Sequence, residues 1–420
     1  MKTKGLWHFW QKIEPGIVIV LFILTWDFNI PPFLPGSTGS AIKAGSYLIV
    51  FLLVIGCWKK FVYVATRDVT LLLLVVVAMA SFFWSASPAD TSNEIKALLR
   101  TCILGAYLAA RYTSREQMNI LAWVFGISGF LSLVAGLALP SYGINNVNDE
   151  TTWRGIFLHK QYLARSMTMG AVLFLLNAFD SRRYRWVGLT GFCLAIALIL
   201  LSKSKSALIL MLLSLSLLNL TKIIKQNYKL QVFLYFVSLI VAGILSIFII
   251  NNLETIVVDK LGKDMNFNGR VPVWKLCIDK IWERPFLGYG YAGFWNSEES
   301  AYVRLNSWMG QVALTANVHA HNGFIDLLLQ LGWSGMLIFF INWLRNLSRI
   351  VHLVSSTKTK ESFWMLQFTT IMFLFNLTEV QTFVTNHVIW GVYVSINLST
   401  AIAEDRIKRQ RKLITAINST

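Results

Sequence analysis

The sequence predicts an all-α integral membrane protein with about twelve transmembrane helices and a long, partly helical periplasmic loop between the ninth and tenth. Three observations carry this expectation. The 420 residues are 55% hydrophobic and 14% charged, with a mean hydropathy of +0.56, whereas a soluble domain carries about 25% charged residues. Apolar runs recur from one end to the other, so residues 1–420 read as a single polytopic domain. Lys and Arg gather in every second connection, the pattern that marks short cytoplasmic loops.

The expected spans are 16–30, 44–58, 69–85, 96–110, 117–139, 160–178, 186–201, 206–220, 231–250, 323–344, 363–381 and 388–403. Several fall short of the ~20 residues that cross a bilayer comfortably, so their ends are approximate. The pair around Ser202-Lys203-Ser204-Lys205-Ser206 also reads as a shallow helical hairpin. The first run follows Lys2, Lys4 and Lys12, as a signal peptide would. Trp26-Asp27-Phe28-Asn29-Ile30-Pro31-Pro32 then stands where a small-residue cleavage site would be, so the run is expected to stay as a helix.

Orientation follows from the basic clusters: Lys59, Lys60 and Arg67; Arg111 and Arg115; Arg182, Arg183 and Arg185; Lys222, Lys225 and Lys229; Arg345, Arg349, Lys358 and Lys360; and the tail from Arg406 to Lys412. They put both termini in the cytoplasm and residues 252–322 outside. The formal charge of +17 then reflects membrane topology, and no nucleic-acid partner is expected. The four cysteines show no disulfide or zinc spacing; only Cys277 falls in the outer loop.

Within that loop, Gly269-Arg270-Val271-Pro272 reads as a helix start, since an early proline lacks only an N–H that would have no helical partner. Val273, Trp274, Cys277, Ile281 and Trp282 recur at helical spacing as an apolar stripe, and Arg284-Pro285 ends the helix. The glycines of Phe286–Trp295 disfavour a helix and suggest a tight aromatic loop at the membrane surface, as scaffold or lipid contact. The loop leaves through Asn317-Val318-His319-Ala320-His321-Asn322-Gly323.

Absent motifs narrow the chemistry. The chain has no Gly-x-x-x-x-Gly-Lys-Ser/Thr loop, no Asp-x-Asp pair and no His-Glu-x-x-His. No metal and no cofactor are expected, and a phosphorylated substrate would have to be neutralised by side-chain cations. Arg154, Lys160, Arg165, Lys203, Lys205 and Arg270 are the candidates on the outer side. A guanidinium fork bonds two phosphate oxygens at once. Arg154 and Lys160 read equally well as interface anchors, and Arg165 and Lys203 as cations lining a polar cavity or snorkelling to the surface.

Several of these segments resemble bacterial O-antigen ligases and related exopolysaccharide polymerases. They are Trp153-Arg154-Gly155-Ile156-Phe157-Leu158-His159-Lys160, Gly269-Arg270 followed by Trp274, Arg284-Pro285-x-x-Gly288-x-Gly290, and His319-Ala320-His321-Asn322-Gly323 running into a span with Gly332 and Gly335. The likeness covers about residues 70–400 in topology, with specific motifs at 153–165, 202–206 and 269–335. It implies about twelve helices and a metal-independent glycan transfer at the outer face of the bacterial inner membrane. The donor would be an undecaprenyl-diphosphate-linked glycan. The acceptor would be a lipid A–core sugar in a ligase or another carrier-linked unit in a polymerase. Carried onto this chain, His321 is the candidate base with His319 as its rival, and Arg270 and Arg154 are candidate diphosphate clamps.

The residue chemistry suits that reaction. A sugar hydroxyl must lose a proton, and an imidazole with a pKa near 6.5 accepts one at neutral pH. Positioned arginines stabilise the departing diphosphate. No carboxylate pair stands out as a nucleophile, so inversion is expected. Asn322, Asp326 and Glu379 are candidates to orient the histidine or to hold helices together; His159 and His387 read as structural. The rival function is a membrane transporter of a carrier-lipid glycan or of a small anion such as bicarbonate. Broken helices and internal repeats would favour it, and the sequence displays neither. A structural subunit of an envelope complex is a third reading.

Overall fold

The computed structural model describes residues 2–26, 37–147, 150–180, 185–224, 270–311, 318–377 and 384–418. The expected span 231–250, the first part of the 252–322 loop and Glu379 lie outside the described residues. The helices in chain order are α1 (Lys2–Ile23), α2 (Ser37–Ile55), α3 (Trp58–Ala65), α4 (Val69–Ala80), α5 (Pro88–Arg111), α6 (Ser114–Ala138), the single turn α7 (Pro140–Gly143), α8 (Lys160–Asp180), α9 (Arg185–Leu201) and α10 (Lys205–Ile224). After them come α11 (Arg270–Glu283), the short α12 (Ala301–Leu305), α13 (Gly323–Thr357), α14 (Lys360–Phe375) and α15 (Val388–Asn418).

The described residues are all-α apart from one antiparallel hairpin, β1 (Ile144–Val147) with β2 (Glu150–Trp153), in which Ile144 pairs with Trp153. The hairpin is an addition to the sequence expectation. Its last residue packs on α6, where Gly136 leaves room: a Cβ there would lie 2.2 Å from the Trp153 ring.

Helix starts follow local chemistry. Asp68 caps α4 by accepting from the Leu71 N–H, and Thr113 with Glu116 forms a capping box on α6. Other boundaries depart from the hydropathy reading. The first helix begins at Lys2, well before the apolar run, and carries Pro15 inside it. Two later helices run past the expected 344 and 403 to Thr357 and Asn418. Apolar runs mark what lipid or core can cover, while a helix continues until its backbone bonds are interrupted.

Three described helices are long and apolar enough to cross a membrane: Ser114–Ala138, Lys160–Phe179 and Gly323–Thr357. Ala41–Ile55 with Trp58–Ala65 would make a fourth if this pair, bent by 97°, is one span. Val69–Trp84, Arg185–Leu201 and Lys205–Leu215 are apolar but shorter. Thus the helical, membrane-type architecture holds, and the count of twelve was a reading of hydropathy.

Close helix contacts rely on small residues, as expected where lipid supplies no hydrophobic drive. Gly105 on α5 faces Gly391 on α15 so tightly that a Cβ at Gly105 would sit 2.3 Å from the Gly391 carbonyl oxygen. Two buried carboxylates between helices, Asp68 and Glu14, meet arginines. Asp68 pairs with Arg349, which also bonds Glu404. Glu14, 2% exposed, accepts from Arg111 and from the Tyr107 and Tyr112 hydroxyls.

One sequence reading is overturned in α13, which is a broken helix. Gly332 has φ 62° and ψ −165°, a region open essentially to glycine. The backbone groups released there find partners in the Gly-aromatic loop. Tyr289 and Gly290 N–H groups donate to Leu329 and Gln330, and Trp333 and Ser334 N–H groups donate to Pro285 and Phe286, at 2.7–3.1 Å. A break inside an apolar helix is tolerated when its polar groups are satisfied again in this way. The loop therefore splices onto α13.

Candidate active site

The boundaries of α11 match the sequence reading, starting at Arg270 and stopping before Arg284-Pro285. Its buried face is Val273, Cys277, Lys280 and Ile281. Trp282 is not on it, being 67% exposed on the other side with Ile278. Tyr289, Tyr291 and Phe294 of the Gly-aromatic loop are buried, and of that stretch's large apolar side chains only Phe286 and Leu287 are exposed.

One turn into α11, the Trp274 indole N–H donates to the Ala320 carbonyl at 2.7 Å. That bond sets the helix headed by Arg270 against the His319-Ala320-His321 segment. The two imidazole rings lie 4.2 Å apart between centroids, tilted by 42°, and the Trp308 ring stands 6.3 Å from His321. His321 takes a left-handed backbone, φ 52°, which is uncommon for a residue with a Cβ and is held only by firm surroundings. The next residue, Asn322, is extended and caps α13, its Oδ1 accepting from the Phe324 and Ile325 N–H groups at 3.0 and 3.3 Å.

Asp326, one turn into α13 and 4% exposed, faces back toward this segment. It accepts from the Trp295 indole at 2.7 Å, from the Gln330 amide at 2.7 Å and from the Ala320 backbone N–H. Of the two proposed orienting residues, Asp326 therefore acts on the backbone that carries the histidines, while Asn322 caps the helix that follows.

The candidate cations fall into three groups. Arg270 shares the unit of α11 and the histidines. Arg154 donates from Nε to the Tyr142 carbonyl at 2.9 Å, tying the hairpin to α7, so an anchoring role accounts for part of it. Lys160, Arg165, Lys203 and Lys205 gather around Gln161. Arg165 donates to the Gln161 carbonyl at 3.2 Å, and Ser204 donates to the Gln161 side chain at 2.6 Å, drawing the α9–α10 turn onto α8. Lys203 and Lys205 are exposed on that turn, Lys203 with φ 54°. Arg165 is 1% exposed beneath the Tyr162 ring. Of the two expected deep cations, only Arg165 is buried.

Sequence reading missed Arg100. It is 6% exposed on α5 and donates to Ser46 at 3.0 Å and to Asn386 at 3.1 Å. The next residue, His387, packs against Trp26 and Tyr162. A lone arginine in the apolar stretch 97–110 was the available signal, because charge at that depth is costly. His159 keeps its structural reading, its Nδ1 accepting from the Gln161 N–H.

α11 and the loop after it carry their own ion network. Lys280 bonds Glu283 and Glu299, and Arg284 bonds Glu299 at 3.0 Å. Burial alone would lower the Lys280 ammonium, but its two carboxylate partners push it up. The Lys280 hydrogen bond holds the Glu283 carboxyl below its usual range. Burial, reinforced by Glu283, pushes the Tyr289 hydroxyl up to about 12. Among the described residues, no group of three or more His, Cys, Asp or Glu side chains could hold a metal ion.

Apolar helices of membrane-crossing length stand in one chain with a unit that sets two imidazoles beside an arginine-headed helix, the features of a membrane protein. Residues 190–340 match the family model described as O-antigen ligase, and this supports assigning the chain to the O-antigen ligase family. The assignment supports a glycosyltransferase activity of ligase or polymerase type in a bacterial membrane, with a lipid-linked glycan as substrate. No curated protein matches the chain. The matched region contains Lys203, Lys205, Arg270, His319, His321, Asn322 and Asp326, while Arg154, Lys160 and Arg165 precede it.

Proposed function

We propose that the protein transfers a glycan from undecaprenyl diphosphate to an acceptor sugar on the periplasmic face of the bacterial inner membrane, with both termini in the cytoplasm and about twelve spans. The single observation that carries this reading is the Trp274–Ala320 hydrogen bond, which ties the helix headed by Arg270 to the segment of His319 and His321. His321 takes the proton of the acceptor hydroxyl as that oxygen attacks the anomeric carbon. The bond to the carrier diphosphate breaks on the opposite face, inverting the centre. Arg270, with Arg154, Lys160, Arg165, Lys203 and Lys205, offsets the charge on the departing diphosphate. The reaction needs no metal in this scheme, and His319 is the alternative base.

The acceptor is a lipid A–core sugar or a second carrier-linked unit. The family match and the paired histidines favour transfer over transport, and the break at Gly332 does not weigh against it, because loop backbone occupies the groups it releases.

The test mixes carrier-linked glycan with each acceptor and the purified protein in detergent, where no compartments exist, and measures released undecaprenyl diphosphate. His321→Ala is expected to lower release by about 100-fold or more, and Arg270→Ala by a smaller factor. Full release by both folded variants removes this site assignment. No release by the unmodified protein with either acceptor turns the reading toward a transporter.

A further inference from the structure

The two histidines flank Ala320, and each peptide unit joining them is gripped from outside. The unit linking His319 to Ala320 donates its N–H to Asp326. The unit linking Ala320 to His321 accepts at its carbonyl from the Trp274 indole. Asp326 is itself held by the Trp295 indole and by Gln330, whose side-chain oxygen accepts from the Ala292 N–H. The grip therefore comes from three places: α11 through Trp274, the Gly-aromatic loop through Trp295 and Ala292, and α13 through Asp326 and Gln330. Ala320 itself is fully buried, and His321 beside it has the left-handed backbone that needs such support.

Resting on the reading of His321 as the base, we propose that Trp274 and Trp295 are positioning residues for the transfer, fixing the histidine pair through the two peptide units around Ala320. An indole is suited to this because its N–H can only donate: it must meet an acceptor, here a carbonyl in one case and a carboxylate in the other. Removing the Trp274 donor leaves the Ala320 carbonyl without that bond and lets the His321 peptide rotate. Removing the Trp295 donor loosens Asp326, and through it the His319 peptide. Neither indole has to touch the reacting atoms. The effect falls on the geometry of attack, to which catalysis is far more sensitive than binding.

Trp274→Phe and Trp295→Phe in the full-length protein keep most of the ring area and remove only the donor. With undecaprenyl-diphosphate-linked glycan as donor and the acceptor that supports turnover, each is expected to lower kcat roughly 10- to 100-fold, with the KM for the donor within about twofold. The double variant is expected to lose less than the product of the two factors, since both act on one element. Unaltered kcat in both single variants overturns the proposal, as does a raised KM with kcat unchanged. Should a Phe variant not fold, Gln330→Ala removes the other side-chain donor to Asp326 and is read by the same split of kcat from KM. His321→Ala and His319→Ala run in parallel separate the two ideas. Full turnover in both means the base assignment is wrong, whereas inactive His variants beside fully active Trp variants mean that only the positioning role is wrong.

Discussion

Around Asp68, Arg349 and Glu404, opposite charges pair across helices, while around Ala320 buried polar groups hold a strained backbone in place. In the first region opposite charges satisfy one another, and the amide of Asn342 joins them by bonding Asp68 and Tyr393. In the second, the Trp274 indole and the Asp326 carboxylate grip peptide groups, the Trp295 indole holds that carboxylate, and the segment of His319 and His321 is set beside α11. Arg165 and Arg100 also bond polar groups across the fold, Gln161 for the first and Ser46 and Asn386 for the second. The difference separates polar burial that locks helices together from polar burial that holds a backbone segment in one conformation.

Arg349→Met breaks the comparison most forcefully. It leaves Asp68, 0% exposed, as a buried charge without its guanidinium, at a cost of about 3–5 kcal/mol. Thermal unfolding in detergent is expected to show a large loss, with turnover per folded molecule close to unmodified. A matching fall in turnover at constant folded fraction would mean that the two regions are coupled. Gly332→Ala strikes the other region. A Cβ there would lie 2.4 Å from the Phe286 carbonyl carbon, on a backbone with φ 62°, and the strain alone is about 1–3 kcal/mol. Limited proteolysis should open the segment 285–311 well below global unfolding, and turnover should fall with it. A variant that resists proteolysis as the unmodified protein does would show that the splice is not what holds this segment.

The smallest effect is a pH dependence. The Glu283 carboxyl sits below its usual value because of Lys280, so its contribution is present above the unfolded-state pKa and is lost as pH falls through the lowered folded-state value. With half of that side chain in solvent, screening keeps the change slight. Glu283→Gln should flatten the acid side of the unfolding midpoint against pH and leave the midpoint near neutrality only slightly lower. An unaltered acid slope would assign the acid sensitivity to another carboxylate.

Much of the site was legible because its signals are local. The start of α11 at Arg270, its end before Pro285 and the Asn322 cap all depend on residues within a turn of one another. The His-x-His exit needed only the sequence and a resemblance. The grip on Ala320 was not legible, because Trp274 lies 46 positions from the carbonyl it holds and Trp295 lies 31 from Asp326. Arg100 was overlooked because its partner Asn386 is 286 positions away, and an isolated arginine among apolar residues does not announce which helix will meet it.

The sequence by itself determined an all-helical membrane-type protein, because hydropathy is a property of composition and repeats along the chain. It also determined where acid–base and cationic chemistry could reside, because only a few side-chain types can carry it. Tertiary structure alone decided that α13 is broken at Gly332, that loop backbone fills the break and that Arg165 is buried while Lys203 is exposed. It alone set the peptide groups around Ala320 between two indoles and a carboxylate. Each of these depends on hydrogen bonds or packing between segments distant in the chain, and a one-dimensional pattern does not encode which of many chemically able partners folding brings within about 3 Å.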